Sequence, residues 1–399
     1  MVVSTGENKL TPKVMLPGCA IKPADGGEYQ SFNIYSKDRI RELLLNYETD
    51  ISSKIRCLFF GRFHGDEESS EILIESLNYS DSVLYRHEVL YVLGQMGLKS
   101  PLNCLYNILG NLDEHPMVRH EAGEAIAAIG DLKSMQVIEK YINDDSPAVR
   151  ETCYLARHSL RTKSKKREEL NNTSDYGLLN RRGVGDNPDN ISDFNAFNTR
   201  DPTPPNNSCE TSQVEFLISD LLNSEMHLEK RYGALFALRN ILTGVINSNQ
   251  KSNLLDSQVK YKNESEIVNN IANKIAEAME HDDKSAVFRH ECAFVLGQIQ
   301  VISTADSLSR VISNTNEESM VRHEAAFALG SVGSTDPRFC TSDNDHLFNH
   351  DKTDAARVRK LAIETLTKFS NDSDIIVAES CIVGLQTIID ETGTLEIEI

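Results

Sequence analysis

The tripeptide Arg-His-Glu occurs four times in this chain of 399 residues, at 86–88, 119–121, 289–291 and 322–324, and its spacing constrains the fold more than any other feature. His87 and His120 lie 33 residues apart, as do His290 and His323, and the second pair repeats the first after 203 residues. A period of this length is that of a stacked helical repeat, in which each unit buries its apolar face only against its neighbours. One kind of unit carries the tripeptide each time, so a two-repeat cassette occurs twice. The fold predicted is all-α, an α-solenoid of helical repeats in two pseudo-symmetric halves.

The flanking segments align as VLYRHEVLYVLGQMG (83–97), MVRHEAGEAIAAIGD (117–131), VFRHECAFVLGQIQ (287–300) and MVRHEAAFALGSVG (320–333). Small and apolar residues recur at helical spacing, as at Val321, Ala325, Ala328 and Leu329, giving one stripe that packs on a neighbouring helix. Gly97, Gly130 and Gly333 supply permissive backbone where these helices end. Shorter amphipathic segments at 101–109 and 304–312 make each repeat a helix pair. Degenerate members at 54–62 and 229–240 precede the doublets, and others at 148–160 and 376–388 follow them, as caps and side walls. The first half is expected over residues 37–161 and the second over 212–390. Between them, residues 162–211 turn Asn-, Asp-, Gly- and Pro-rich, with too little apolar content to offset ordering entropy, and read as a flexible linker without chemistry. Residues 1–36 read as a poorly ordered N-terminus, 391–399 as a tail, and 246–263 and 341–353 as extended loops.

Adjacent residues of a helix project about 100° apart, so a His-Glu doublet straddles one edge of its helix rather than stacking two ligands. Because every doublet sits at the same depth in its helix, stacking and then closing the halves would gather His87, Glu88, His120, Glu121, His290, Glu291, His323 and Glu324 into one centre. Imidazole with carboxylate suits iron, manganese or zinc, and the absence of cysteine disfavours a thiolate zinc site. Four ionised glutamates need about two divalent cations for charge balance, and would otherwise form a costly like-charge cluster. A HExxH zinc-protease motif is excluded, because the positions four beyond each His are Tyr91, Glu124, Phe294 and Phe327. Arg86, Arg119, Arg289 and Arg322, echoed by Arg150 and Arg231, are expected to bridge repeats through acidic turns. Met117 and Met320, one turn before their histidines, read as core packing. His115, His158, His227, His281, His346 and His350 follow no period and read as surface or structural histidines.

A formal charge of −19 argues against nucleic acid as a partner, since phosphates would be repelled, and suits a cationic one. No apolar run approaches the roughly 18 to 20 residues of a membrane span, and the N-terminus MVVSTGENKLTPK lacks a signal sequence, so a cytoplasmic location off the membrane is expected. Eight scattered cysteines without a CxxC pair fit free thiols in a reducing compartment. No phosphate-binding loop, Ser-His-Asp arrangement or kinase signature is present.

The doublets in tandem helix pairs, together with RETC at 150–153 and ESC at 379–381, closely resemble the deoxyhypusine hydroxylases over most of residues 37–160 and 213–390. That resemblance implies HEAT-like repeats and a non-haem di-iron monooxygenase using two ferrous ions with O2 as cosubstrate. It implies a protein substrate, the deoxyhypusine side chain of eukaryotic translation initiation factor 5A, hydroxylated to hypusine; the chain itself is expected to be a monomer. It further implies His87, His120, His290 and His323 as iron ligands with Glu88 and Glu291, leaving Glu121 and Glu324 to meet the substrate's amines. Two other readings stay open on the residues alone. One is a non-enzymatic HEAT-repeat scaffold that binds a basic protein segment, and the other a relative of the phycobilin lyases.

Overall fold

Serine and aspartate side chains set where the helices of this chain begin. Ser36, Asp50, Asp66, Ser82 and Ser285 each accept a hydrogen bond from the backbone N–H three residues on, satisfying one of the donors a helix leaves unpaired at its start. In the computed structural model, which describes residues 35–172, 199–206, 213–249, 257–334, 352–392 and 395, the regular elements are helices. The N-terminus, the tail and the loop at 341–353 lie largely outside the described residues, whereas the segment 246–263, expected as an extended loop, is helical over 246–249 and 257–263 with the residues between outside the description.

The first run of helices is α1 (Lys37–Leu44), α2 (Ile51–His64), α3 (Glu67–Ser76), α4 (Val83–Met96), α5 (Leu102–Gly110), α6 (Pro116–Ile129), α7 (Met135–Ile138) and α8 (Pro147–Asn172). The second is α9 (Val214–Leu222), α10 (Leu228–Asn249), α11 (Ser257–His281), α12 (Ala286–Ile299), α13 (Ala305–Ser313), α14 (Ser319–Gly333), α15 (Lys352–Phe369) and α16 (Ile375–Thr392). The even-numbered helices form two inner rows, α2-α4-α6-α8 and α10-α12-α14-α16, each packed side by side. The rows meet at both ends: α16 packs on α2 and α4, and α8 packs on α10 and α12. The solenoid thus closes on itself, and the edge each row leaves open is covered by the other. Its two hydrophobic cores interlock, with Phe327 and Val383 entering the first and Met117 and Leu155 the second. Met117 and Met320 are core residues, as expected.

Close approach of the inner helices depends on small residues. A Cβ on Gly94 would sit 2.7 Å from the Ala125 Cα of α6, and one on Gly330 would sit 2.7 Å from the Gly384 Cα of α16. Gly330→Ala must therefore push α14 away from α16. It is expected to cost about 1–3 kcal/mol of stability in denaturant unfolding of the metal-free chain. Gly61→Ala in α2 is the contrast: its nearest neighbour is a Leu73 methyl at 3.4 Å, so better helix propensity should leave stability unchanged or raised.

Two sequence expectations need correction. Gly97 and Gly130 end their helices in the left-handed region, at φ 70° and 74°, but Gly333 does not. Gly333 is the last helical residue of α14, and it is small because a Cβ there would meet the Ala362 Cβ at 2.5 Å. The left-handed cap in the second half is instead Gln300 after α12, at φ 50°. The linker also differs: α8 continues unbroken to Asn172, and residues 199–206 pack against both rows.

The arginines before the doublets do what their recurrence predicts. Arg119 grips the half-buried Asp144 at 2.6 and 3.2 Å while donating to the Leu109 carbonyl. Arg322 does the same with Asp372, at 2.5 Å for its closer contact, and the Ile312 carbonyl. Arg86 pairs with Glu114, Arg289 with Glu317 at 2.7 and 2.9 Å, and Arg231 with Asp282 at 2.6 Å. Arg150 departs from the pattern and caps the carbonyls of Asp144 and Asp145. Each bridge fixes the helix one residue before a histidine or its degenerate equivalent.

Candidate metal centre

Helices α4, α6, α12 and α14 deliver the four doublets to the seam between the inner rows. All eight side chains are buried there, none of the residues more than 5% exposed. The imidazoles follow the pseudo-symmetry of the chain. His87 stacks with His120 at 6.1 Å between ring centroids, and His290 with His323 at 5.6 Å. Across the seam the rings meet edge to face, His87 with His323 at 5.1 Å and His120 with His290 at 5.6 Å.

Hydrogen bonds aim the rings. His87 Nδ1–H donates to Glu88 Oε1 at 3.0 Å, His323 Nδ1 meets Ser380 Oγ at 3.3 Å, and His120 Nδ1 meets Thr152 Oγ1. This leaves the Nε2 atoms of these rings pointing inward. With His290 they make a set of buried nitrogens that have no hydrogen-bond partner: Nε2 of His87, His120, His290 and His323, and Nδ1 of His290. An orphaned buried polar atom costs about 1–3 kcal/mol, so such a convergence is unstable unless something else satisfies it. A metal does. Donor atoms of His87, His290 and His323 lie within 4.8 Å of one another, as do those of His87, His120 and Glu121. The first is an all-imidazole set and the second combines imidazole with carboxylate, donors of the kind that hold iron, and His87 belongs to both.

The carboxylates complete the centre. Glu121 Oε2 stands 3.3 Å from His87 Nε2, and Glu324 Oε2 stands 3.3 Å from His323 Nε2 and 3.6 Å from His290 Nε2. Burial raises the pKa of Glu121, Glu124, Glu291 and Glu324, and neighbouring carboxylates add to it. Burial also lowers His120, to about 3, with the charge on His87 assisting. His87 is the exception: burial disfavours its charged form, but Glu121 and Glu88 outweigh that and hold it at about 10.

A small cavity of about 20 Å³ opens on the centre, walled by Glu88, Glu121, Glu124, Glu291 and Glu324 and by Tyr91 and Phe294, whose rings lie 6.0 Å apart. Its remaining wall comes from the segment expected to be an inert linker. Arg200, Asp201 and Pro202 line the cavity there. Gln95 exchanges two hydrogen bonds with the Arg200 backbone at 2.7 and 3.2 Å, Arg239 forks onto Asp201 at 2.8 and 2.6 Å, and Gln298 donates to Thr199 Oγ1 at 3.2 Å. Residues 199–202 therefore form part of the cavity wall rather than a free linker, because polar side chains on both rows hold a sequence with little apolar content of its own.

The sequence reading thus placed its eight residues together but missed Glu124, Thr152, Ser380 and the strap at 199–202. Glu124 entered only as a residue that excludes HExxH, yet its carboxylate lies 3.9 Å from His120 Nε2. The signal for the strap was present in Gln95 and Gln298, which are 203 residues apart like the doublets. Among the histidines outside the doublets, His115 caps α6 through Nδ1 and His64 bonds the Tyr35 carbonyl, both structural.

Fold and centre together define an α-solenoid with a buried histidine–carboxylate metal site. Comparison with known proteins agrees. The HEAT repeats family matches residues 64–156. The deoxyhypusine hydroxylase of Schizosaccharomyces pombe is 31% identical over 371 residues, covering 90% of this chain and 94% of that protein. That of Danio rerio is 33% identical over 266 residues, covering 65% of this chain and 80% of its own. A structure of human deoxyhypusine hydroxylase in complex with glycerol matches with a TM-score of 0.63 at 27% identity, over 88% of this chain and 95% of that one. This chain belongs to the deoxyhypusine hydroxylase family. Its described helices include none long and apolar enough to cross a membrane.

Proposed function

We propose that this chain is the O2-dependent monooxygenase that hydroxylates the deoxyhypusine side chain of eukaryotic translation initiation factor 5A, with two irons held by the eight doublet residues. The observation that carries this is the convergence of the orphaned imidazole nitrogens and four carboxylates on one buried cavity, in a chain of this family. When bound, the irons supply the electrons and open coordination positions that oxygen activation requires. The protein contributes the rest. Glu121, Glu124 and Glu324 line the cavity with acid that suits a cationic amine, and Tyr91 and Phe294 offer apolar walls for an aliphatic spacer. Burial keeps bulk water from the reacting centre. The surplus of acidic residues, 60 against 41 basic, favours encounter with a basic segment. The direct test loads the chain with ferrous iron under anaerobic conditions and supplies deoxyhypusine-bearing factor. Hypusine should form only on admission of O2; its formation without O2, or its absence with O2 and iron, would overturn the reading.

We further propose the division that the family resemblance carries, with Glu88 and Glu291 on iron and Glu121 and Glu324 toward the amines. Glu121 and Glu324 nonetheless stand close to the imidazole nitrogens, so the division requires them to turn outward. Glu88→Ala and Glu291→Ala should then lose iron, while Glu121→Ala and Glu324→Ala keep it and raise KM. Iron loss in the Glu121 variant would reverse the assignment.

Substrate entry has a structural requirement. A cavity of about 20 Å³ holds roughly one water, far less than a long diamine side chain, so the strap at 200–202 must move. Gln95→Ala removes two of its tethers, each worth about 0.5–1.5 kcal/mol, and raises the population of the open state. The KM for the protein substrate is expected to fall several-fold; an unchanged or higher KM would show that the strap does not gate entry.

A further inference from the structure

The last helices of the two inner rows, α8 and α16, each carry a carboxylate followed directly by a hydroxyl: Glu151-Thr152 and Glu379-Ser380. The two residues of each pair point different ways. Thr152 meets Nδ1 of His120, and Ser380 meets Nδ1 of His323, each within its own row. Ser380 already spends its proton on the Ile376 carbonyl at 2.7 Å, so its oxygen accepts from the imidazole and His323 must carry its proton on Nδ1. The neighbouring carboxylates instead cross the seam. Glu151 accepts a hydrogen bond from Ser285 at 2.6 Å, and Glu379 accepts one from Ser82 at 2.5 Å. Ser82 and Ser285 are the N-caps of α4 and α12, the helices that carry His87 and His290.

We infer that Glu151-Thr152 and Glu379-Ser380 are positioning pairs that register the metal ligands of one row against those of the other. The hydroxyl sets the tautomer and aim of one histidine, and the carboxylate anchors the first turn of the opposing helix that carries its cross-seam neighbour. Two dipeptides thereby reach all four histidines: His120 and His323 directly, His87 and His290 through the caps of their helices. Thr152 and Ser380 are 3% and 0% exposed, so no solvent competes for these contacts. This inference rests on the reading of the doublets as iron ligands.

The test uses the full chain with ferrous iron alone as probe, in anaerobic competition against a chelator. Thr152→Val and Ser380→Ala should weaken iron retention roughly 10–100-fold and lower the melting temperature of the metal-free chain by only the few degrees that one lost buried hydrogen bond causes, and Thr152→Ser should restore both. In the metal-free chain, Glu379→Ala should speed amide exchange at Tyr85, whose N–H is capped by Ser82, and leave Phe288 unaffected; Glu151→Ala should do the converse. Iron retention unchanged in Thr152→Val and Ser380→Ala, or amide exchange that does not follow this cross pattern, overturns the inference. His87→Ala separates this failure from that of the ligand reading: if His87→Ala loses iron while Thr152→Val does not, only the positioning role falls, and if His87→Ala keeps its iron both fall.

Discussion

His290→Leu is expected to abolish hydroxylation and weaken iron retention by more than about 100-fold, beyond what loss of a supporting hydrogen bond causes, while making the metal-free chain more stable. The two halves of this expectation come from one fact. Both ring nitrogens of His290 are buried without a partner, and three other imidazoles stand within 6 Å of it. In the absence of metal the ring carries an uncompensated desolvation cost of about 1–3 kcal/mol, which an apolar side chain of similar size removes. In the presence of metal the same nitrogens are what the site offers. A histidine retained for structure would behave in the opposite way, and Leu at 290 would then lower the melting temperature of the metal-free chain and leave iron untouched. Calorimetry of the metal-free chain and iron analysis of the loaded one, on the same preparation, read both effects.

Arg322→Ala should be the most damaging substitution outside the centre, at about 3–5 kcal/mol. Its guanidinium and the Asp372 carboxylate are 3% and 6% exposed, and the same arginine satisfies the Ile312 carbonyl. Truncation leaves the Asp372 carboxylate with the Asp374 N–H as its remaining donor and removes the arginine's donor from the Ile312 carbonyl at the same time. Arg322→Lys should recover only part of the loss, since a single ammonium does not reproduce two parallel contacts plus a third. Arg322 holds the Asp372 carboxyl below the usual carboxylate range. This contribution is therefore complete at neutral pH and fades as the pH falls through that range. Denaturant unfolding of parent and variant should accordingly converge in acid. Because Arg322 immediately precedes His323, iron retention is expected to fall with stability.

The Arg-His-Glu tripeptide makes both the repeat fold and the eight-residue centre legible from residue order alone. A period of 33 residues sets the helical repeat, and its recurrence after 203 sets a second row able to face the first. The arginines can be read as bridges because they persist at Arg231, where the doublet is absent. What residue order does not reveal are contacts whose partners share no period. Thr152 and Ser380 sit on degenerate repeats, where a hydroxyl at a buried position has no hydrophobic signature. The strap at 199–202 is ordered by Gln95, Arg239 and Gln298, residues up to 105 positions away, rather than by its own composition. Gly333 misleads for a related reason: a glycine at a helix end usually marks a left-handed cap, but here the demand is space beside Ala362.

Iron titration with concurrent turnover tests the central claim most directly. Metal-free chain receives ferrous iron in steps, and each step is assayed for hydroxylation of deoxyhypusine-bearing factor under O2 with excess reductant to supply two electrons per turnover. The account predicts that activity rises to a break at two irons per chain and that a chelator strong enough to strip both returns it to zero. Full activity without iron, or a break at one iron per chain, would contradict it.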